Sequence, residues 1–260
     1  MSTPRFHVER DLPREPSEIA LPEAAARHAQ VLRLQPGNPI VLFDGSGGEW
    51  DATILQIARH AEIRVRTSAR RDALDRELAL RIGLAIGVPA NERMDTLVEK
   101  ATELGVASVQ PLLCERGVLR LSGERAQKKA LHWRAVAVAA CEQSGRSRVP
   151  AIAPMRRLDD AWLADGWAAD GWLADESAGA TRWVLSLRDD AAPVAELLRG
   201  VDAARPLIAL SGPEGGLTAA EEDAARSAGF VAVSLGPRVL RADTAPLALL
   251  AQLALVPRAR

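Results

Sequence analysis

"SGPEGGLTAAEE", residues 211–222, decides the fold. It follows the apolar run "PLIAL" (206–210) and opens directly into a helical pattern. A Gly-rich turn between a strand and a helix exposes backbone N–H groups, and anions commonly bind there. The spacing is not that of a dinucleotide fingerprint. No Gly-Lys-Ser/Thr ending marks a phosphate-binding loop either.

A second stretch of the same kind lies a few residues on. "LGPRVLRADTA" (235–245) also follows a short apolar run, "VAVSL" (231–235), and leads into the last helical pattern. Ligands of open α/β sheets sit at the carboxyl ends of strands. Two neighbouring loops of this type form one pocket walled by main-chain groups. Such a wall suits an adenosine moiety. It suits a triphosphate less well, because no Lys or Mg²⁺-binding hydroxyl stands beside the glycines.

Working outward, strand and helix patterns alternate from about residue 78 to the end. "LALRIGLAIG" (78–87) is a near-continuous apolar run, as in a strand buried on both faces. "NERMDTLVEKATELG" (91–105) has helical periodicity and ends on Gly105. "VASVQPLL" and "RWVLSL" are further strands. "SGERAQKKALHWRAVAVAACEQSG" (122–145), "TAAEEDAARSAG" and "DTAPLALLAQLAL" are further helices. This alternation predicts an α/β domain with a parallel sheet.

Residues 1–70 have a different rhythm. "PIVLFDGSGGEWDATILQI" (39–57) holds two strands around a Gly-rich connection, and "AEIRVRTSA" (61–69) alternates in period two. "PEAAARHAQVLR" (22–33) is a short helix. The region predicts a small barrel or sandwich, too small to be an enzyme alone, with "RRDALDRE" (70–77) as a linker. The domains expected are therefore 1–72 and 73–260.

The 260 residues are 48% apolar and 26% charged, ordinary for a globular protein. No secretory signal is expected from the first residues, and no apolar run is long enough to span a membrane. Cys114 and Cys141 form no CxxC pair, so neither a zinc site nor a disulfide framework is expected. They fit a reducing cytoplasm. The net charge of −1 conceals an uneven distribution. Residues 115–150 carry eight Arg or Lys against three Glu, whereas residues 151–204 carry five Arg against ten Asp or Glu. The basic stretch is compatible with a phosphate-backbone footprint or with a solvated helix face.

One segment departs from the alternation. "WLADGWAADGWLAD" (162–175) repeats "DGW" at period five. Five residues advance a helix by about 500°, so its tryptophans do not share a face. It reads as a local insertion, loosely helical or mobile, with a stacking platform for RNA as a further reading. Glu99, Lys100 and Glu103 read as an ion-pair group on one helix.

"GPEGGLTAAE" followed by "LGPRVLRADTA" resembles the C-terminal signature of the SPOUT methyltransferases. More closely, the chain is similar to the RsmE family, which methylates N3 of a uridine in 16S ribosomal RNA. "VEKATELGV" (98–106), "ACEQSGRSRVP" (140–150) and "HAQVLRLQPGNPIVLFDGSGGEWDATI" (28–54) match that family in the same order. The resemblance implies a PUA-like barrel that grips RNA, followed by a knotted α/β domain. It implies S-adenosylmethionine as cofactor and a homodimer whose site draws on both subunits. The RNA partner would be 16S rRNA, free or in the 30S subunit.

Carried onto this sequence, the first cofactor loop would comprise Leu210, Ser211, Gly212, Pro213, Glu214, Gly215 and Gly216. The second would comprise Leu235, Gly236, Val239, Leu240, Arg241 and Thr244. RNA contacts are expected from Arg33, Arg116, Arg146, Arg148 and Arg238. Uracil N3 carries a proton and is a poor nucleophile until it leaves, so a base or an anion stabiliser is needed. Arg241 is the first candidate to stabilise a uracil oxygen, and Arg146 the second, for the base or its phosphate. Glu214 and Asp243 are the candidate base or orienter. The family commonly has Glu where Asp243 stands, and one methylene changes the reach. Three other readings compete: a SPOUT enzyme for another RNA position, a non-catalytic RNA-binding assembly factor, and a nucleotide-dependent phosphotransferase. The last is disfavoured by the missing lysine.

Overall fold

A computed structural model of the chain describes residues 3–9, 12–58, 62–73, 76–90, 93–119, 121–166 and 179–255. The chain divides into two compact units, residues 1–77 with 138–149, and residues 78–137 with 150–260.

The first unit is a six-stranded sheet with one helix. Its strands are β1 (Arg5–His7), β2 (Ser17–Ala20), β3 (Pro39–Phe43), β4 (Gly48–Ile57), β5 (Ile63–Thr67) and β6 (Arg71–Asp72). They run in the order β1-β3-β4-β5-β2, with β6 on β4. Only β1 and β3 pair in parallel. The β3–β4 connection is the expected Gly-rich turn. Asp44 Oδ1 accepts from the backbone N–H groups of Ser46 and Gly48, at 2.8 and 3.1 Å, which closes it. Strand β5 alternates buried and exposed residues as its period predicts. Helix α1 (Glu23–Val31) turns Ala25, Ala26 and Ala29 onto Phe6, Leu42, Trp50 and Ile54 of the sheet core.

A buried ionic network ties residues 145–149 into this unit. Glu77 Oε2 accepts from Arg146 Nη2 at 2.7 Å and Nε at 3.0 Å. Its Oε1 accepts from the backbone N–H of Ser147 at 3.2 Å and of Arg148 at 3.0 Å. Glu49 pairs with Arg5 at 2.6 Å and with Arg71 at 2.8 Å, and accepts from the Ser147 hydroxyl. The side chains of Arg146 and Glu77 are only 5% and 7% exposed.

The second unit is built on a wholly parallel sheet. Its strands are β7 (Ile82–Gly87), β8 (Ser108–Leu113), β9 (Ala151–Ile152), β10 (Arg156–Arg157), β11 (Thr181–Leu185), β12 (Ala192–Pro193), β13 (Leu207–Ser211) and β14 (Val231–Ser234). Their order is β10-β8-β7-β13-β11-β14-β12, with β9 on β8. The adjacent central strands β7 and β13 are buried at every residue. This explains why both read as apolar runs rather than alternations.

Helices α2 (Arg93–Glu103), α4 (Val194–Leu197), α5 (Ala219–Ser227) and α6 (Thr244–Ala254) belong to this unit. Helix α3 (Gly123–Ser144) begins in it and ends in the first. Lys100 bridges Glu99 and Glu103 on α2, as its spacing suggests. Among the described residues, no helix is long and apolar enough to cross a membrane.

Of the "DGW" segment, Trp162 opens a π-helical turn over 162–166, and Trp167 and Trp172 lie outside the described residues. Trp162 is fully buried, with its ring 6.4 Å from that of Phe230 in the core. That excludes Trp162 from the stacking-platform reading, because a buried ring presents no face to a base. The period-five spacing carried no sign of this, since spacing alone does not tell a buried ring from an exposed one.

The Glu77 network yields a stability prediction. Glu77→Ala removes the buried carboxylate that accepts from Arg146 and from two backbone N–H groups, and should cost roughly 3–5 kcal/mol in urea unfolding. Arg148→Ala, an exposed position, should stay within about 0.5 kcal/mol. Equal costs would show that the buried pair does not hold residues 145–149 in place.

Candidate active site

The loop after β13 is shaped by close backbone approach. A Cβ built on Gly212 would lie 2.7 Å from Leu217 N and 2.8 Å from the Gly216 carbonyl carbon. One built on Gly87, at the end of β7, would lie 2.5 Å from Pro213 Cδ. Only glycine allows the chain to double back here, and it places Pro213 on the end of the neighbouring strand. Gly216 N–H donates to Pro213 O at 2.8 Å and Gly216 adopts φ +68°. Thr218 then caps α5: its hydroxyl accepts from Glu221 N–H at 3.1 Å, and Glu221 Oε2 accepts from Thr218 N–H at 2.8 Å. This reciprocal pair fixes where the loop ends and the helix starts.

The loop after β14 turns at Gly236, with φ +103°, and passes Arg238 and Val239, both exposed. Arg241 O accepts from the N–H groups of Thr244 and Ala245, each at 3.0 Å, and this turn starts α6. Arg241 itself is exposed. Asp243 stands at the head of α6 without capping it. Its Oδ1 is buried and finds no hydrogen-bond partner among the described residues.

Together these loops and the end of β11 enclose a cavity of about 590 Å³. Cofactor-sized ligands occupy pockets of about 300–1,000 Å³. Every residue expected in the two cofactor loops lines it except Leu210, which is buried in β13, and Thr244. Nothing lies within 4 Å of a Cβ built on Gly216 or Gly236, so the space beside both glycines is open. Four arginines (93, 116, 238 and 241) and two glutamates (214 and 222) line the cavity, which gives it a positive excess suited to an anionic polymer.

Several residues have settled places. Glu214 Oε1 accepts from Ala90 N–H at 2.8 Å and lies 3.4 Å from Arg93 Nη1. Arg116, in the stripe read as an RNA footprint, lines the cavity and donates to loop carbonyls. Arg33, Arg146 and Arg148 belong to the other unit. Arg33 is exposed at φ +54°, Arg148 is exposed with Nε 3.3 Å from Ser46 O, and Arg146 is buried on Glu77. The structure thus brings Arg116, Arg238, Arg241 and Glu214 together around one cavity.

Ser186, Leu187 and Glu222 were not expected in the site. Ser186 Oγ donates to Glu222 Oε1 at 2.7 Å, and Arg188 Nε lies 3.3 Å from that same oxygen. "RWVLSL" is itself a strand end, so the strand-end rule would have found Ser186 and Leu187 once β11 was known to lie beside β13, whereas Glu222 lies within α5. Cys114 and Cys141 are buried, and burial pushes both thiols up to about 12. Neither is a nucleophile at neutral pH. Among the described residues no cluster of metal-ligating side chains is present.

Family models match both units. An RNA methyltransferase domain covers residues 76–254, and an RNA methyltransferase PUA domain covers residues 21–65. The ribosomal RNA small subunit methyltransferase E of Synechocystis sp. is 32% identical over 236 residues, covering 90% of this chain and 72% of that one. The chain belongs to this RNA methyltransferase family. Among solved structures of similar fold is the ribosomal RNA small subunit methyltransferase E of Neisseria gonorrhoeae bound to S-adenosylmethionine. It has a TM-score of 0.83 at 32% identity, over 97% of both chains. A Legionella pneumophila protein described as a methyltransferase with bound cofactor S-adenosylmethionine has a TM-score of 0.83 at 29% identity, again over 97% of both. The mixed α/β architecture with a parallel sheet and an N-terminal PUA-like domain is therefore that of the family.

The two loop glycines should respond differently to substitution. Gly212→Ala drives a Cβ into backbone and should cost about 1–3 kcal/mol in urea unfolding. Gly216→Asn should cost less than about 1 kcal/mol, since Asn tolerates the left-handed region and its Cβ meets open space. Equal costs would mean the loop is not closed on itself at Gly212.

Proposed function

We propose that this chain is an S-adenosylmethionine-dependent methyltransferase that modifies N3 of a uridine in the decoding region of 16S rRNA, acting on the 30S subunit as a homodimer. The observation that carries the reading is the cavity at the ends of β11, β13 and β14, walled by backbone that only glycine permits. The cofactor-bound relatives and the basic rim support it. When bound, the cofactor supplies an electrophilic methyl group on a sulfonium sulfur. In this reading residues 211–217 and 235–242 hold its adenosine by main-chain groups, and the PUA-like region within 1–72 grips RNA while residues 73–260 carry the chemistry and the family's knot.

One side chain is assigned to the uracil. Arg241 lines the cavity, exposed, on a turn fixed by the bonds from Thr244 and Ala245. Its always-charged guanidinium presents donors to a uracil oxygen as negative charge develops. Asp243 does not line the cavity and its Oδ1 is buried at the head of α6, so it is assigned to orienting this turn rather than to accepting the N3 proton. Glu214 has its Oε1 bonded to Ala90 N–H and is assigned to holding the loop. Arg146, buried and bonded to Glu77, is assigned to the buried network rather than to the uracil.

Methylation of 30S subunits and of naked 16S RNA, with the modified base identified by mass spectrometry, tests the reading. Methyl on uridine N3 is expected. Methyl on a ribose or on guanine would move the chain to another RNA position, and no methyl at all would favour a non-catalytic assembly factor. Arg241→Ala should lower the single-turnover rate by on the order of 10²-fold or more, the scale for one lost oxyanion donor. RNA affinity should change little, with at most about one phosphate's worth of salt slope lost. Weakened RNA binding at a normal saturated rate would instead make Arg241 a phosphate contact.

A further inference from the structure

We propose that Arg116 is a positioning residue for the cofactor loop, holding residues 215–217 in shape, and is not an RNA phosphate contact. The inference rests on the cofactor reading above and deepens it.

Arg116 Nη1 donates to the carbonyls of Gly215 and Leu217, each at 3.2 Å. The two bonds straddle Gly216. Residues 215 and 216 are adjacent glycines, the pair with the most backbone freedom in the loop. Fixing a carbonyl on each side of Gly216 removes that freedom before any ligand arrives, and ordering cost met in advance appears as affinity. The two backbones also touch. A Cβ built on Gly215 would lie 3.0 Å from Arg116 Cβ and 3.3 Å from Arg116 O.

A second hook joins the same two segments. Glu115 N–H donates to Glu221 Oε1 at 2.7 Å, while Glu221 Oε2 accepts from Thr218 N–H at 2.8 Å. One carboxylate therefore caps α5 and grips the turn that follows β8. That turn is closed by Gly117 N–H on Cys114 O at 3.1 Å. Residues 114–117 and 215–221 are thus clamped together at Arg116 and at Glu221. On its other side the loop is held by Glu214 on Ala90 N–H. Charge counting alone placed Arg116 with the RNA footprint. Its bonds to two main-chain oxygens 99 and 101 residues away assign it to the loop.

The test compares the full-length wild type with Arg116→Ala and Arg116→Lys. Arg116 is exposed, so neither change opens a core cavity. S-adenosylmethionine affinity is measured by titration calorimetry, and affinity for a 16S rRNA fragment is measured as a function of salt. Arg116→Ala should weaken cofactor binding about tenfold, the scale for losing charge-assisted hydrogen bonds. Arg116→Lys should restore part of it. The salt slope of RNA binding should match the wild type, and Arg116→Ala should raise the KM for S-adenosylmethionine by a larger factor than it lowers kcat. Unchanged cofactor affinity with a salt slope reduced by about 0.7–0.9 would overturn the inference and make Arg116 a phosphate contact. Wild-type protein that binds no cofactor would sink the cofactor reading and this inference with it. Equal cofactor binding by wild type and Arg116→Ala would sink this inference alone.

Discussion

The candidate site depends on one steric constraint: at Gly212 the chain returns so closely on itself that a single added carbon would collide with Leu217 N. The same closeness recurs where Gly87 meets Pro213. These two contacts place the loop on the end of β7. The capping box at Thr218 and Glu221 then fixes where α5 departs. With both ends fixed, the loop lines the cavity between β11, β13 and β14, and at Gly216 no side chain separates its backbone from open space. A site of this kind recognises a ligand by shape and by hydrogen bonds to peptide groups. Glycine-built walls leave no compositional mark, which is why composition alone points to no chemistry.

What the sequence made legible is local. The fully buried strands β7 and β13, the Gly-marked strand ends, the hairpin at residues 44–47 and the helices over 93–103 and 244–254 each leave a pattern within a dozen residues. The short strands β9, β10 and β12 leave none, because two residues cannot show a period. Roles of charged residues were the least legible part. Arg146 pairs with Glu77 across 69 positions, Arg116 with Gly215 across 99, and the Glu214 carboxylate with Ala90 across 124. A charge count sees the guanidinium but not the distant oxygen that takes it up. Ser186 and Glu222 were missed for a related reason: their place in the cavity follows from strand order, and strand order is a property of the folded sheet.

The two units treat charge in opposite ways. In the first, Arg5, Glu49, Glu77 and Arg146 are drawn inside and neutralise one another, each carboxylate gathering several donors. Buried charges are tolerated only when so satisfied. In the second, arginines 93, 116, 238 and 241 stay around the cavity opening against fewer carboxylates. A nearly neutral protein can therefore still hold a cavity with a positive excess, provided its interior pairs are kept out of the count.

The central claim is that main-chain groups of residues 211–217 and 235–242 hold the adenosine of S-adenosylmethionine. A crystal structure of the full chain with that cofactor tests it most directly. The account predicts the adenosine in the cavity at the ends of β11, β13 and β14, within hydrogen-bond distance of backbone N–H and C=O groups of both loops and against the open sides of Gly216 and Gly236. A cofactor bound elsewhere, or held there chiefly by side chains with both loops displaced, would contradict it.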